Sequence, residues 1–241
     1  MALVTLSDVL QPALQGGYAV DGLVCLGWED MRAYTRAAEA EGLPVILQAG
    51  PGCRAHTPLP ILGAMFRALA ESASVPVVAH LDHGYSAEDC REAIASGFSS
   101  VMFDGSKLPL EENIAQTAEI VKMAHDAGVS CEGEIGFVGY AEGAASQGTA
   151  PEEAAQFARE TGVDAMAISV GNVHLQEKQD GGLDEARIRE LEAVTDIPLV
   201  IHGGSGVPVS QRRTLGDLQI QHWHRTADGL WQSASRRGCG R

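Results

Sequence analysis

The stretch Pro76-Val-Val-Ala-His-Leu-Asp-His-Gly84 is an apolar, β-branched run that ends in charged side chains and a glycine. A helical pattern follows it at once, with Ser86 placed to cap the helix and Asp89 three residues further on. A run that is apolar on both faces is typical of a strand buried in a parallel sheet. The stretch therefore predicts one strand-helix unit of an α/β protein.

Six more runs of this kind lie on either side of it, spaced by roughly 25 to 35 residues as βα units are. The seven strand candidates are Ala19–Gly27, Pro44–Gly50, Pro76–Gly84, Ser100–Ser106, Ser130–Val138, Ala165–His174 and Pro198–Gly206. Helix patterns separate them, such as those from Pro109 to Gly128 and from Thr149 to Gly162. This regularity favours a TIM (β/α)8 barrel over a doubly wound open sheet.

The eighth strand is missing from the pattern, because the chain after Gln211 shows neither an apolar run nor a helical period. Residues 209–241 hold six Arg and two Asp, a charge of +4 in a chain whose net charge is −15. We therefore divide the chain into a barrel of strands one to seven over residues 1–209 and an aberrant, poorly ordered basic tail over 210–241. Two unpaired sheet edges would leave the protein poorly stable, with little or no activity.

The acidic balance of 32 Asp and Glu against 17 Lys and Arg argues against nucleic acid and anionic membranes as partners. The apolar runs are far shorter than the roughly 20 residues of a membrane helix, and the start MALVTLSDVL lacks the pattern of a secretion signal. The five Cys show no metal-binding or redox spacing. These features predict a reduced, cytoplasmic protein.

Polar residues cluster at the predicted strand ends, where barrel active sites form. His83, His174 and His202 would converge on one mouth of the barrel, and three imidazoles with an open fourth position are typical of catalytic zinc. Any one of these histidines alone is more often a hydrogen-bonded core residue. Asp104 and Glu134 offer oxygen ligands for a second, harder divalent ion.

Asp82 precedes His83, so the two side chains would point to opposite faces unless the strand breaks at its end. If it breaks there, Asp82 is free to move a proton at a substrate oxygen. The alternative is that Asp82 caps the helix that begins near Ser86. The loop His202-Gly-Gly-Ser-Gly206 follows strand seven, where barrel phosphate sites commonly form.

Two stretches resemble the signatures of class II, metal-dependent fructose-bisphosphate and tagatose-bisphosphate aldolases, the ketose-bisphosphate aldolases. The first is Val77-Val-Ala-His-Leu-Asp-His-Gly84. The second is Glu132-Gly-Glu-Ile-Gly-Phe-Val-Gly-Tyr-Ala-Glu142, which differs from the family at Cys131 and Tyr140. The resemblance runs from Met1 to about Val209 and implies an aldehyde-lyase of carbohydrate metabolism and glycolysis.

The reaction that the resemblance implies is the reversible retro-aldol cleavage of a ketose 1,6-bisphosphate to dihydroxyacetone phosphate and glyceraldehyde 3-phosphate. His83, His174 and His202 would bind the catalytic zinc, which polarises the ketone and stabilises the enediolate. Asp104 and Glu134 match the position of a second divalent ion, and the resemblance also admits a monovalent cation. The family is commonly homo-oligomeric.

The resemblance further assigns two catalytic carboxylates and a phosphate loop. Asp82 would donate the proton at the aldehyde oxygen, and Glu142 would transfer a proton at the enediolate carbon. The residues matched to the phosphate of the sugar phosphate substrate are Gly171, Gly203, Gly204 and Ser205. This chain departs from the family at Leu175, where Gly usually follows the second zinc histidine, and in the loop Leu23–Trp28, which commonly contains Phe-Asn.

The family's eighth strand carries a Lys-x-Asn-x-x-Thr-Glu-Leu type motif that completes the phosphate site. Residues 221–232 can be coded so that reading one base later gives Asn-Ile-Gly-Thr-Glu-Leu, and the five residues before them can supply Lys-Phe. We therefore interpret the tail as frameshifted between Val209 and Gly216, with a divergent basic tail as the alternative. Two other functions remain open: a non-catalytic metal-binding relic or interaction protein, and a metal-dependent hydrolase on the same barrel.

Overall fold

Parallel strands close into a barrel in the order in which they occur along the chain. This computed structural model describes residues 3–176, 182–208, 211 and, for the backbone, 218–222. The strands of this part are β1 (Asp21–Val24), β2 (Val45–Ala49), β3 (Val77–Gly84), β4 (Ser100–Phe103), β5 (Ser130–Ile135), β6 (Ala165–Ile168), β7 (Leu199–Ile201) and β8 (Leu218–His222).

Helices connect successive strands, as the alternating pattern of the sequence predicts. Those in the described ranges are α1 (Leu6–Gly16), α2 (Trp28–Glu41), α3 (Pro51–His56), α4 (Leu59–Ser72), α5 (Ala87–Ala95), α6 (Leu110–Asp126), α7 (Pro151–Thr161) and α8 (Glu185–Glu192), with a 3-10 turn at Gly204–Gly206. Not one of these helices has the length and apolar character needed to cross a lipid bilayer.

The helix ends follow the local signals of the sequence. Ser86 caps α5 in a reciprocal capping box with Asp89, so the alternative role of Asp82 as the cap of this helix is wrong. α7 begins with Pro151 at its first position and ends at Gly162 in the left-handed conformation. The predicted α/β barrel is confirmed. All seven predicted strands form, and each lies within its predicted apolar run.

The expectation that the eighth strand is missing is wrong. Leu218–His222 of the tail pairs in parallel with β7 on one side and with β1 on the other, so both edges of the sheet are covered. Because barrel strands pair through the backbone, five residues that alternate Leu and Ile with Gln are sufficient. Apart from Gln211 and this strand, the predicted poorly ordered tail lies outside the described residues, as do any helices after β8.

The barrel interior has an apolar layer at the bottom and a polar layer at the top. α1 inserts Leu6, Val9, Leu10 and Ala13 into the bottom, where they pack against inward-facing residues of the strands. Those strand residues are Ile46, Val78, Met102, Ala165, Ala167 and Val200. Two positions further along the strands, on the same face, come Gln48, His80 and His202. Burying apolar surface therefore closes the bottom and leaves the polar side chains at the C-terminal mouth.

Candidate active site

The predicted metal ligands and Asp82 all lie at the C-terminal mouth of the barrel. Asp82 and His83 are at the end of β3, Asp104 follows β4 and Glu134 is near the end of β5. His174 lies in the loop after β6, and His202 directly follows β7. Parallel strands bring these ends together although His83 and His202 are 119 positions apart in the sequence.

Three histidines converge at the centre of this mouth. The ring centroids of His83 and His202 are 4.6 Å apart, those of His83 and His174 are 5.2 Å apart, and those of His174 and His202 are 5.7 Å apart. His83 Nε2 lies 3.1 Å from His202 Nδ1. One ring nitrogen of each histidine lies within 4.8 Å of one from each of the others, as a shared cation requires.

The two carboxylates predicted for a second ion gather around the same histidine. Asp104 Oδ2 is 2.9 Å from His83 Nδ1, and Glu134 Oε2 is 3.7 Å from that atom. Ser106 donates from its backbone N–H and its hydroxyl to the other oxygen of Asp104, at 3.1 and 2.6 Å. His83, Asp104 and Glu134 therefore form a second group of ligand type that shares His83 with the histidine triad.

The side chains of Asp82 and His83 both face the mouth because the regular strand conformation is interrupted at His83. His83 has a φ of +52°, a left-handed conformation that a non-glycine residue rarely adopts. The register of β3 against β4 shifts between Leu81 and Gly84, as at a β-bulge. Asp82 Oδ1 lies 3.8 Å from His83 Nε2 and 4.0 Å from His202 Nδ1, beside the two nitrogens that face each other.

Sequence reasoning missed Glu132, which is completely buried behind the triad. Its Oε1 lies 3.0 Å from His202 Nε2, and its Oε2 lies 3.6 Å from His80 Nε2. The signal was present: residues two apart on a strand share a face, so Glu132 accompanies Glu134 into the barrel while Gly133 faces Phe157 outside. A carboxylate on one nitrogen of an imidazole fixes which nitrogen remains available as a ligand.

Electrostatics favour one positive charge at the centre of the cluster. Burial lowers the pKa of His83, but the carboxylates of Asp82, Asp104 and Glu134 outweigh that effect and raise it to about 10. Burial and the charge of His83 together lower the pKa of His174 to about 4 and that of His202 well below its usual range. Two neutral imidazoles therefore stand beside one position that favours a cation.

The carboxylates respond to the same charge. Burial would raise the pKa of Asp104, but the hydrogen bond and the charge of His83 lower it to about 2. Burial and the neighbouring Asp104 raise the pKa of Glu134 to about 8, and burial strongly raises that of Glu132. The ionised form of Asp104 is therefore favoured beside His83, whereas burial favours the neutral forms of Glu134 and Glu132.

The donor set fits a divalent metal ion. Three imidazoles are a ligand set of catalytic zinc, and two carboxylates adjoin them. Within the described structure, the buried oxygens Asp82 Oδ1 and Glu134 Oε2 have no hydrogen-bond partner, and an unpaired buried carboxylate oxygen is costly unless a cation or substrate supplies a partner.

The residues predicted for phosphate binding lie in the loops after β6 and β7, which touch each other. Gly171 and Gly203 have φ values of +95° and +68°. A Cβ on Gly203 would lie 2.3 Å from the carbonyl oxygen of Val173, so only glycine fits there. Gly204 and Ser205 are the first two residues of the 3-10 turn Gly204–Gly206.

Glu142 lies in the exposed loop after β5, outside the buried cluster. The residue before it, Ala141, donates its N–H to the carbonyl oxygen of His174 at 3.0 Å, which ties this loop to the mouth. Tyr140 places its ring 5.0 Å from the ring of His174, and Tyr85 places its ring 6.2 Å from that of His83. Two aromatic rings therefore flank the histidines.

Leu175 keeps the backbone conformation expected of the glycine that it replaces. Its φ is +59°, and with His83 it is one of two non-glycine residues with positive φ in the described ranges. Half of its side chain is exposed. A residue with a Cβ therefore occupies a left-handed position beside His174 and places an apolar side chain at the rim.

Known proteins resemble this chain over most of its length. The family model "Fructose-bisphosphate aldolase class-II" matches residues 4–225, a range that includes β8. The 6-phospho-5-dehydro-2-deoxy-D-gluconate aldolase of Bacillus licheniformis is 42% identical over 217 residues, which are 88% of this chain and 74% of that protein. A fructose-bisphosphate aldolase of Streptococcus pyogenes serotype M1 is 42% identical over 218 residues, with the same coverage.

Solved structures show the same similarity. The crystal structure of the YdjI aldolase from Escherichia coli K12 superposes with a TM-score of 0.81 at 28% sequence identity. The superposition covers 99% of this chain and 88% of that chain.

Proposed function

Because the chain belongs to the class II fructose-bisphosphate aldolase family, we propose that it is a metal-dependent aldolase that reversibly cleaves a ketose 1,6-bisphosphate. The products would be dihydroxyacetone phosphate and glyceraldehyde 3-phosphate. Membership of the family makes the chain an aldolase-type lyase. The sugar, the metal and the roles of individual residues are the proposed part.

One observation carries the proposal: Asp82 Oδ1 lies beside both facing nitrogens of the histidine pair, His83 Nε2 and His202 Nδ1. His83, His174 and His202 would hold a zinc ion, with Asp104 and Glu134 available to a second divalent ion. The ion supplies Lewis-acid polarisation of a ketone carbonyl. A non-catalytic relic does not account for the buried, unpaired oxygen Asp82 Oδ1 beside these two nitrogens.

The remaining steps are assigned to the chain's own carboxylates. Asp82 would exchange a proton with the oxygen that becomes the aldehyde, because it is buried and reaches the triad from the strand end. Glu142 would carry the proton at the adjacent carbon, entering from the loop that Ala141 fastens to His174. Gly171, Gly203, Gly204 and Ser205 would receive the phosphate, since three of these four residues lack a side chain that could cover their backbone N–H groups.

The test is a coupled assay of the full chain, loaded with zinc, against a panel of substrates. The panel contains fructose 1,6-bisphosphate, tagatose 1,6-bisphosphate and 6-phospho-5-dehydro-2-deoxy-D-gluconate, the last taken from the name of a relative. The expectation of little or no activity depended on an open sheet, and β8 closes the barrel. We therefore expect cleavage of one of the two bisphosphates, loss of activity on chelation and recovery on adding zinc. Preferred cleavage of the deoxygluconate would reassign the substrate, and activity that survives complete chelation would refute the metal-dependent mechanism.

A hydrolase on the same barrel makes a different prediction for the same samples. It would release inorganic phosphate or open an amide without producing dihydroxyacetone phosphate. We expect triose phosphate to appear and phosphate release to stay at the background rate.

The buried free thiols Cys25, Cys53, Cys90 and Cys131 are consistent with the proposed reducing, cytoplasmic setting.

A further inference from the structure

We propose that Arg54 is a positioning residue that holds the Asp82–His83 segment in the conformation in which both side chains face the metal-ligand triad. The inference rests on the proposed metal-dependent function, and it concerns a residue of the short helix α3 that follows β2. Among the described residues, the Arg54 side chain forms hydrogen bonds only with main-chain carbonyls, so it would act through the backbone.

The end of β3 needs an external hydrogen-bond donor. The paired residues of β2 and β3 end at Ala49 and Leu81, and the register against β4 shifts between Leu81 and Gly84. The carbonyls of Asp82 and His83 therefore lie where the regular ladder is interrupted. Buried carbonyl groups without partners are costly, and the local backbone would otherwise rearrange to find donors.

Arg54 supplies those donors from one guanidinium group. Its Nη1 donates to the carbonyl oxygens of Ala49 at 3.1 Å and Asp82 at 2.5 Å, and its Nη2 donates to that of His83 at 2.9 Å. These are all the hydrogen bonds that the Arg54 side chain makes in the described part of the chain, and each goes to a main-chain carbonyl. A planar fork of N–H groups can join three acceptors on two strands, whereas a lysine ammonium is a single point of donation.

The contact matters because of the backbone of His83. Its φ of +52° is disfavoured for any residue with a Cβ, and such conformations persist where the surroundings determine them. Returning His83 to the extended region would restore strand alternation and turn one of the two neighbouring side chains away from the mouth. Arg54 bonds the carbonyls on both sides of the His83 N–Cα–C unit and so holds that unit in place.

The first turn of α3 reinforces this arrangement. A Cβ on Gly50 would lie 2.9 Å from Asp82 Oδ2, so the chain before α3 passes directly beside the Asp82 side chain. The helix then returns Arg54, one turn later, to the carbonyls of the same segment. One loop thus contacts both the side chain and the backbone of Asp82.

The experiment compares the full-length chain with R54A, R54K and the matched control R91A, whose arginine lies on α5, is well exposed and pairs with Glu88. Each protein is stripped of metal, its folding is checked by circular dichroism, and its zinc affinity is measured by competition with a chromophoric chelator. The visible spectrum of the cobalt-loaded protein then reports the ligand geometry. R54A is also titrated with guanidinium ion at concentrations that leave the wild-type protein folded.

We expect R54A to bind zinc about 10- to 100-fold more weakly, as is usual when a group that orients metal ligands is removed. Its cobalt spectrum should change, guanidinium ion should restore both properties, and R91A should match the wild type. R54K should recover little, because a single ammonium cannot reach all three carbonyls. If R54A does not fold, R54K decides the question by the same two measurements.

Zinc affinity within twofold of wild type, with an unchanged cobalt spectrum, would overturn the proposal. So would full recovery by R54K together with no response of R54A to guanidinium, because charge rather than the fork would then be responsible. None of these measurements uses a sugar substrate. A wild-type protein that binds zinc but cleaves none of the sugar phosphates would refute the proposed function. The zinc affinities of the variants would still decide the role of Arg54.

Discussion

At the scale of single residues, the site depends on side chains whose neighbours determine both their direction and their protonation. Asp82 and His83 point the same way because the backbone of His83 is left-handed. His202 faces His83 with one ring nitrogen and Glu132 with the other. These buried groups form a hydrogen-bonded network in which each member needs its partners. Substituting one member leaves a buried neighbour without a partner, so even conservative substitutions should have large effects.

Substituting Asp82→Asn should separate catalysis from metal binding. We expect kcat to fall by roughly 100- to 10,000-fold, the range typical of a lost general acid-base group, while zinc affinity stays within a few-fold of wild type. The reason is that Asp82 Oδ1 is 3.8 Å from the nearest ring nitrogen and is not itself in the ligand groups. Steady-state kinetics and chelator competition measure the two quantities. A kcat close to that of wild type would remove Asp82 from the mechanism.

Substituting Glu132→Ala should weaken metal binding without touching the substrate. Glu132 holds Nε2 of His202 at 3.0 Å, which leaves Nδ1 facing His83. We expect zinc affinity to fall about 10- to 100-fold, and Glu132→Gln, which retains an acceptor oxygen, to lose less. Chelator competition measures both, with the exposed Glu160→Ala as the control. Equal affinities for Glu132→Ala and wild type would contradict the role.

At the scale of elements, close approach between helices holds the outer layer against the barrel. Gly63 of α4 faces the C-terminal end of α5, where a Cβ would lie only 2.0 Å from the carbonyl oxygen of Ser96. α5 in turn follows β3, so the spacing of α4 and α5 affects where the end of that strand lies. A glycine within a helix is intrinsically unfavourable, which indicates that this contact requires it.

Substituting Gly63→Ala should therefore destabilise the protein although alanine favours helix. We expect the free energy of unfolding to fall by about 1 to 3 kcal/mol, the usual cost of forcing extra volume into a packed contact. Denaturant titration measures it. Gly148→Ala is the matched control, since the nearest atom to a Cβ there is 3.8 Å away. If Gly63→Ala proved as stable as that control, α4 and α5 would have room to separate.

At the scale of the whole molecule, β8 decides whether the sheet is a barrel or an open sheet with two free edges. It pairs at three positions with β1 and at three with β7. The composition of this segment alone would place it in the aberrant basic tail. The frameshift hypothesis for residues after Val209 stays a prediction, to be checked in the nucleotide sequence of the gene. The closed backbone is compatible with it, because strand pairing makes few demands on side-chain identity.

Shortening the chain tests the contribution of β8 directly. A chain that ends at Gln211 lacks the strand, whereas one that ends at His224 keeps it. Losing six paired positions, at about 1 kcal/mol for each hydrogen bond, should lower the melting temperature of the shorter chain by roughly 10 to 20 °C and promote aggregation through β1 and β7. The chain ending at His224 is the control that keeps β8 and should melt above the shorter chain. Similar melting of all three would show that β8 contributes little.

Buried thiols should make stability fall at high pH. Burial raises the pKa of Cys90 from its ordinary value of 9.0 to about 12, with a smaller contribution from Asp89, and burial raises that of Cys53 to about 11. Above pH 9 the unfolded chain loses thiol protons that the folded chain keeps, so the stabilisation present below pH 9 is lost as pH rises toward 12.

Each such thiol should steepen the decline by up to about 1.4 kcal/mol per pH unit. Denaturant titrations of metal-free, reduced protein between pH 8 and about pH 10.5 measure the slope. Cys90→Ala should have a shallower slope than wild type, because one of the contributing protons is gone. An identical slope would mean that Cys90 ionises as easily in the folded protein as in the unfolded one.

The amino-acid sequence by itself determined the repeated strand-helix units and most of the polar residues that meet at the mouth. Runs buried on both faces must become parallel strands, and polar residues at their ends must meet at one mouth, so His83, His174, His202, Asp104 and Glu134 could be named from their positions. Periodicity contains this information because it reflects which face of each element is buried.

Only the tertiary structure decided the closure by β8, the shared position of His83 and the roles open to Glu132 and Arg54. β8 carries no strong pattern of its own, and its place is set by the unpaired edges of β1 and β7. Asp104 and Glu134 join His83, and Arg54 reaches the β3 end, through contacts between residues distant in sequence. Such contacts depend on distances between strands and on the left-handed turn at His83, and local residue patterns contain no measure of either.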